Sequence, residues 1–208
     1  MISFQRLLGR EEKFFGLLEA SATECAASID ALRRILSRRG EKLSLDDFVS
    51  ARRRDKEVTQ KLEEMLIHTF VTPIEREDLE QLAEKLYKIP KTVEKFAERY
   101  ALVVERVADV PFEIHAEALG NGMELLLQMV RALRAGDIVA IKGKQSELRE
   151  LARNAETRLT ESIALIYKPD FDPLKAIIVK DFYVLIEKTL ERCREAAAVI
   201  AHILLKNS

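Results

Sequence analysis

Long stripes of apolar residues at helical spacing constrain the fold of this 208-residue chain more than any other feature. In the clearest stripe, apolar side chains recur every three or four residues from Leu79 to Val107, which places them on one face of an α-helix. The chain contains only 7 glycines and 5 prolines, too few for the many tight turns of an all-β fold. The stripes therefore predict an all-α protein built from long helices.

Breaks in the stripes predict where each helix begins and ends. We expect six helices, at about residues 11–38, 44–70, 73–110, 111–134, 137–167 and 173–205. Pro73 is predicted to open the third helix, because its fixed φ suits a first turn. Pro90 lies inside that helix, where a proline removes a backbone hydrogen bond, and we expect a kink there.

The second half of the chain repeats the first at an offset of 100 residues. Pro73 matches Pro173, and the apolar positions after each proline also correspond. Repeats of this size predict two antiparallel three-helix bundles built on one plan. We place the first bundle at residues 1–108 and the second at 109–208, forming one continuous helical body.

Charge and hydropathy exclude several classes of function. The formal net charge is −1, so overall charge favours neither nucleic acid nor a membrane surface as a partner. Glu11 and Glu12 fall where the apolar core of a signal peptide would have to run, and no stretch of about 18 apolar residues is present. We expect a cytoplasmic protein, with a peripheral position at the inner membrane left open.

Three segments resemble the PhoU-like family of phosphate transport regulators, in its Pit accessory branch. Two of them, residues 10–18 and 185–193, read REEKFFGLL and LIEKTLERC. The third and most specific, residues 68–79, reads HTFVTPIEREDL. The resemblance runs over nearly the whole chain and implies a fold of two three-helix bundles, in agreement with the repeat.

The resemblance also implies a function. Family members regulate phosphate uptake by acting on a transporter or its sensor, so it implies a binding protein that is not an enzyme. The expected partner is a phosphate transporter at the cytoplasmic face of the membrane, and a homo-oligomer remains open. A generic helical scaffold that has lost the phosphate role is the alternative.

Several family members bind metal clusters through paired acidic motifs, and this chain keeps those acids unevenly. In the first repeat the matching positions hold cations or a phenol: Arg54, Lys56, Tyr87, Lys88 and Lys91. An ammonium cannot ligate a hard cation, so we expect no metal there, and our hypothesis is that the lysines supply positive charge in its place by pairing with nearby acids. In the second repeat Glu156, Glu187, Glu191 and Glu195 are a candidate but degenerate site for a divalent or iron-type metal. The sequence favours the other interpretation, a solvated face whose charges form ion pairs.

A cluster of arginines around the first helix–helix connection is the most pronounced charge feature. Its members are Arg33, Arg34, Arg38, Arg39, Arg52, Arg53 and Arg54. The cluster could bind an acidic protein or anionic lipid headgroups, or it could be an ordinary solvated corner. It lacks interleaved aromatic residues for base stacking, so we do not expect nucleic acid binding.

Known catalytic patterns are missing from the sequence. A di-iron carboxylate bundle needs Glu-x-x-His, yet Met65, Phe112 and Val199 stand three residues before the three histidines. Cys25 and Cys193 lie in apolar helical stretches, where a free cysteine is usually a small hydrophobic residue. No enzyme activity is therefore predicted.

Overall fold

The computed structural model describes residues 4–37 and 44–206, with side chains from residue 12 onward. The described part folds into six helices and contains no strand. Their bounds are α1 Phe4–Ser37, α2 Asp46–Ile67, α3 Arg76–Val107, α4 Glu113–Ala135, α5 Ile138–Ile166 and α6 Pro173–Lys206. None of the described helices carries a segment apolar and long enough to cross a bilayer.

The predicted fold class is confirmed, and the helix ends differ by a few residues. Asp137 caps α5, its Oδ1 accepting a hydrogen bond from the Ala140 backbone N–H at 2.9 Å, and Gly136 ends α4 with a φ of 65°. Pro173 begins α6 as the repeat predicts, whereas Pro73 lies three residues before α3. The prediction that Pro73 opens α3 is therefore wrong: α2 stops at Ile67, and the connection after it is longer than expected.

Each triplet of helices packs within itself, and the two triplets then share one core. α1, α2 and α3 contact one another, as do α4, α5 and α6, while α1 packs on α4 and α3 packs on α6. The helices α1 and α4 run antiparallel to each other, and so do α3 and α6. Ion pairs show this for α1 and α4, because Arg33 near the end of α1 meets Glu117 near the start of α4 at 2.6 Å. The boundary between residues 108 and 109 stays a prediction.

The core is mostly aliphatic, with a cluster of rings where α3, α4 and α6 meet. Phe96 and Tyr100 come from α3, Phe112 directly precedes α4, and Phe182 comes from α6. The ring centroids of Phe96 and Phe182 are 4.8 Å apart, and those of Phe112 and Phe182 are 5.4 Å apart. Aromatic pairs at such distances stabilise a fold beyond the burial of their apolar surface. This cluster therefore stabilises the contact between the two triplets. The helix α3 continues through Pro90, whose side chain is buried, and the kink expected there stays a prediction.

The ring cluster can be tested by truncation. Phe182→Ala should lower the free energy of unfolding by about 3–5 kcal/mol, because a buried ring is lost and a cavity remains. Denaturant unfolding followed by circular dichroism measures the change. Phe70→Ala removes a fully exposed ring and is the matched control, expected within about 0.5 kcal/mol of wild type. A Phe182→Ala loss no larger than the control would contradict this account of how the triplets are joined.

Candidate functional site

The four carboxylates predicted to hold a metal lie on or near one groove between α5 and α6. Glu191 and Glu195 line this groove, which has a volume of about 420 Å³. Glu156, on α5, is tied to the same groove by Arg194, whose Nη1 lies 2.5 Å from Glu156 Oε1. Glu187 is exposed one turn before Glu191 and does not line the groove.

Cations occupy the positions beside these carboxylates. Glu195 Oε2 accepts hydrogen bonds from Arg192 at 2.8 Å and from Lys85 of α3 at 3.2 Å. Burial opposes ionisation of Glu195, but these two bonds outweigh it and lower its pKa. Across residues 12–37 and 44–206, no three His, Cys, Asp or Glu side chains come together as a metal-binding group. Two of the four carboxylates, Glu156 and Glu195, are thus held in ion pairs, and this arrangement does not fit a metal ion. The candidate metal of the second repeat stays an interpretation of the sequence.

The first repeat has a corresponding groove between α2 and α3. Its volume is about 300 Å³, and its lining includes Lys56, Tyr87 and Glu84. Lys88 pairs with Glu84 one turn away on α3, which lowers the pKa of that carboxyl group. Arg54 Nε donates to Glu24 Oε1 at 2.8 Å. Lys88, one of the lysines at positions where the resemblance implies acids, thus pairs with a nearby acid, as expected from the sequence.

The predicted basic surface is largely occupied by internal ion pairs. Arg33 binds Glu117 and Asp30, and Arg34 Nη2 lies 2.8 Å from Asp47 Oδ2. Arg52 pairs with the buried carboxylate of Glu94, and Arg54 pairs with Glu24. Arg53 is exposed and makes no ion pair with another described residue, while Arg38 and Arg39 lie outside the described residues. The positive charge that this surface offers a partner is therefore smaller than the sequence suggests.

A buried carboxylate, Asp55, at the contact of α1 and α2 was not anticipated. Asp55 is fully buried, and its Oδ1 accepts a hydrogen bond from Ser21 Oγ at 2.6 Å. Neither Asp55 Oδ2 nor Glu24 Oε2 has a hydrogen-bond partner among the described residues. Burial raises the pKa of Asp55 to about 6, with the Ser21 hydrogen bond acting against it and repulsion from Glu24 adding to it. In the sequence, the only indication of this buried site is the presence of two polar residues inside apolar stripes.

The connection between α2 and α3 presents three apolar side chains to solvent. Ile67 is 74% exposed, Val71 is 56% exposed and Phe70 is 100% exposed. We call these three residues the apolar tip. They lie within or beside the segment that carries the most specific sequence motif, residues 68–79. The sequence placed Phe70 at the end of a helix, so its exposure could not be predicted.

Comparison with proteins of known sequence gives two distant relatives. The chain is 22% identical over 211 residues to a Rhizobium meliloti (strain 1021) protein named "Putative pit accessory protein", and the match covers 98% of both chains. It is also 22% identical over 139 residues to UPF0111 protein YkaA of Bacillus subtilis (strain 168). That match covers 67% of this chain and 68% of the YkaA protein. No protein-family model matches the chain.

Two crystal structures from Shewanella oneidensis MR-1 share the fold. One is a PhoU-like protein, at a TM-score of 0.76 and 14% identity, covering 93% of this chain and 99% of that chain. The other is a "putative PhoU-like phosphate regulatory protein", at a TM-score of 0.71 and 13% identity with the same coverage. The resemblance inferred from the sequence motifs is thereby confirmed, and the fold is PhoU-like.

Metal analysis tests the α5–α6 groove. We expect purified protein incubated with Fe²⁺, Mn²⁺ or Zn²⁺ and then desalted to retain well under one metal ion per chain, because an ion would have to displace Arg192, Arg194 and Lys85. Inductively coupled plasma mass spectrometry gives the stoichiometry. One or more equivalents in wild type, lost in Glu191→Gln, would show instead that the predicted site binds metal.

The buried Asp55 predicts a pH-dependent stability. Its pKa is raised in the folded state, so the folded protein binds the proton more tightly than the unfolded chain, and stability falls as pH rises from about 4 to about 6. Asp55→Asn should therefore raise the free energy of unfolding by about 3 kcal/mol at pH 7.5 and by almost nothing at pH 4. Urea unfolding at the two pH values measures this. Glu57→Gln changes an exposed carboxylate on the same helix and should show no such pH-dependent gain.

Proposed function

We propose that this chain, which has a PhoU-like fold, is an accessory regulator of phosphate transport that binds a membrane transporter or its sensor. The observation that carries the proposal is the similarity along 98% of both chains to the Rhizobium meliloti protein, whose name describes an accessory role to Pit. The PhoU-like crystal structures support the same assignment through the fold.

The proposed mechanism is a binding event without a chemical step. Both cysteines are buried, and burial raises the pKa of Cys193 to about 12, so neither thiol is poised as a nucleophile. His115 is also buried; its Nε2 lies 3.1 Å from Ser162 Oγ, and burial lowers its pKa. Regulation would then follow from a difference in the affinity of this protein for two states of the transporter.

We place the protein on the cytoplasmic side, peripheral to the inner membrane where the transporter lies. Its partner there is a protein surface, and this proposal leaves self-association of the chain open. The charged grooves of the two repeats would face solvent or the partner, and ion pairs already hold Glu84, Glu195 and Glu156 there.

A helical scaffold protein without a phosphate role is the second candidate. The observation in its favour is the pairing of Arg54 with Glu24 and of Lys88 with Glu84, at positions where the family resemblance implies metal-binding acids. If the family function requires a metal in the first repeat, that function would be lost here.

Deleting the gene in the native host separates the two candidates. We expect phosphate uptake to change by about twofold or more, because the transporter would lose a ligand that biases its states. Uptake of labelled phosphate by cells grown with high and with limiting phosphate is the measurement, with the wild-type gene restored on a plasmid as control. Unchanged uptake in both media would contradict the proposal and favour the scaffold.

A second measurement tests the contact itself. The Pit-type permease of the same host, purified in detergent micelles, should bind the purified chain in biolayer interferometry. An unrelated membrane protein from the same host in the same detergent is the control.

A further inference from the structure

The apolar tip has the properties of a preformed docking element. Phe70 is fully exposed, with Ile67 and Val71 beside it in sequence and largely exposed as well. An exposed apolar cluster of this kind costs free energy in water and is typical of a surface that a partner covers. The exposed ring contributes nothing to the core, so the fold itself does not account for its presence.

The loop that carries the tip is held in one conformation. The guanidinium group of Arg76 donates hydrogen bonds to the backbone carbonyl oxygens of Leu66 and Thr69, the latter at 2.8 Å. Thr69 is buried next to Phe70, and Pro73 fixes φ on the other side. A loop that is already ordered loses little conformational entropy on binding, which favours a specific contact.

The end of the loop nearest α3 also contacts the second triplet, α4 to α6. Lys206 Nζ, in the last turn of α6, lies 2.6 Å from Glu75 Oε2 and 3.1 Å from Asp78 Oδ2. The base of the loop is therefore attached to both halves of the protein. A partner that binds the tip would therefore contact a loop that is joined to both triplets of helices.

Acidic side chains flank the tip on both helices. Glu63 and Glu64 are exposed in the last turns of α2, and Glu77 is exposed in the first turn of α3. None of these three makes an ion pair within the described part of the chain. Two cations of the α3 end are used internally, since Arg76 binds backbone oxygens and Lys206 binds Glu75, while Lys61 of α2 is exposed beside Glu63 and Glu64.

We propose that the apolar tip inserts into an apolar pocket rimmed by Lys and Arg on the cytoplasmic face of the phosphate transporter. The inference rests on the proposed function and names the contact surface for it. Cytoplasmic loops of membrane proteins are enriched in Lys and Arg, which complements the acids at Glu63, Glu64 and Glu77. An anionic lipid surface would repel the same acids, so the occupant is the protein and not the bilayer.

Binding of tip variants to the host's purified Pit-type permease in detergent micelles tests the proposal. Phe70→Ser should weaken binding by about tenfold or more, because a ring at the centre of a contact carries much of its affinity. Leu102→Ser is the matched control: Leu102 is 84% exposed on α3, away from the tip, and its loss should change affinity by less than about twofold. The double reversal Glu64→Lys with Glu77→Lys should also weaken binding, most strongly at low salt.

Two further experiments test whether the tip binds lipid or a second copy of the chain instead. Flotation with protein-free vesicles of phosphatidylglycerol and phosphatidylethanolamine should show no Phe70-dependent association, and light scattering should show no Phe70-dependent self-association. Vesicle binding or oligomers that Phe70→Ser abolishes would overturn the proposal in favour of lipid or a second copy.

The outcomes also separate this inference from the proposed function. If wild type binds the permease and Phe70→Ser binds equally well, the docking surface is elsewhere while the accessory role stands. If wild type does not bind the permease and gene deletion leaves phosphate uptake unchanged, both fail. Circular dichroism of each variant confirms that it remains folded.

Discussion

The packing of α3 against α6 determines how the rest of this protein is arranged. Phe96 and Phe182 meet in the ring cluster at one part of this contact, while Lys85 and Glu195 pair at another and Lys206 reaches Asp78 near the start of α3. Apolar burial supplies most of the stabilisation, because partly exposed ion pairs contribute little energy of their own. The pairs agree with the antiparallel register of α3 and α6. Each triplet alone would leave one face of these helices in water, so the two triplets form a single body.

That shared contact also shapes the charged surfaces. Glu195 belongs to the carboxylate row predicted to bind metal, yet Lys85 reaches it from the other triplet. A cation supplied across the interface takes the place that a metal would need, and Arg194 does the same for Glu156 within the second triplet. The acids and the arginines that were conspicuous in the sequence thus largely satisfy one another, and the apolar tip is one surface of the described residues whose chemistry is not internally matched.

The site was less predictable than the fold, for a physical reason that particular residues illustrate. A stripe such as Leu79 to Val107 depends only on local periodicity, which the chain itself displays. The pairing of Lys85 with Glu195 joins residues 110 positions apart, and the burial of Asp55 depends on which helix covers it. The exposure of Phe70 depends on where α2 ends, and Arg76 contributes to that arrangement by binding the carbonyl groups of Leu66 and Thr69. Neither the ion pair, the burial nor the exposure can be predicted from the spacing of residues along the chain.

The sequence by itself predicted that this protein is all-α, with the six helices that the described residues form, and that its motifs resemble PhoU-like proteins. These properties follow from apolar periodicity, scarce turn residues and short local patterns, all of which act over a few residues. Only the tertiary structure decided which acids meet cations, which carboxylate is buried and which apolar side chains remain in water. Those outcomes depend on contacts between helices distant in sequence, because burial and charge pairing are properties of the packed body.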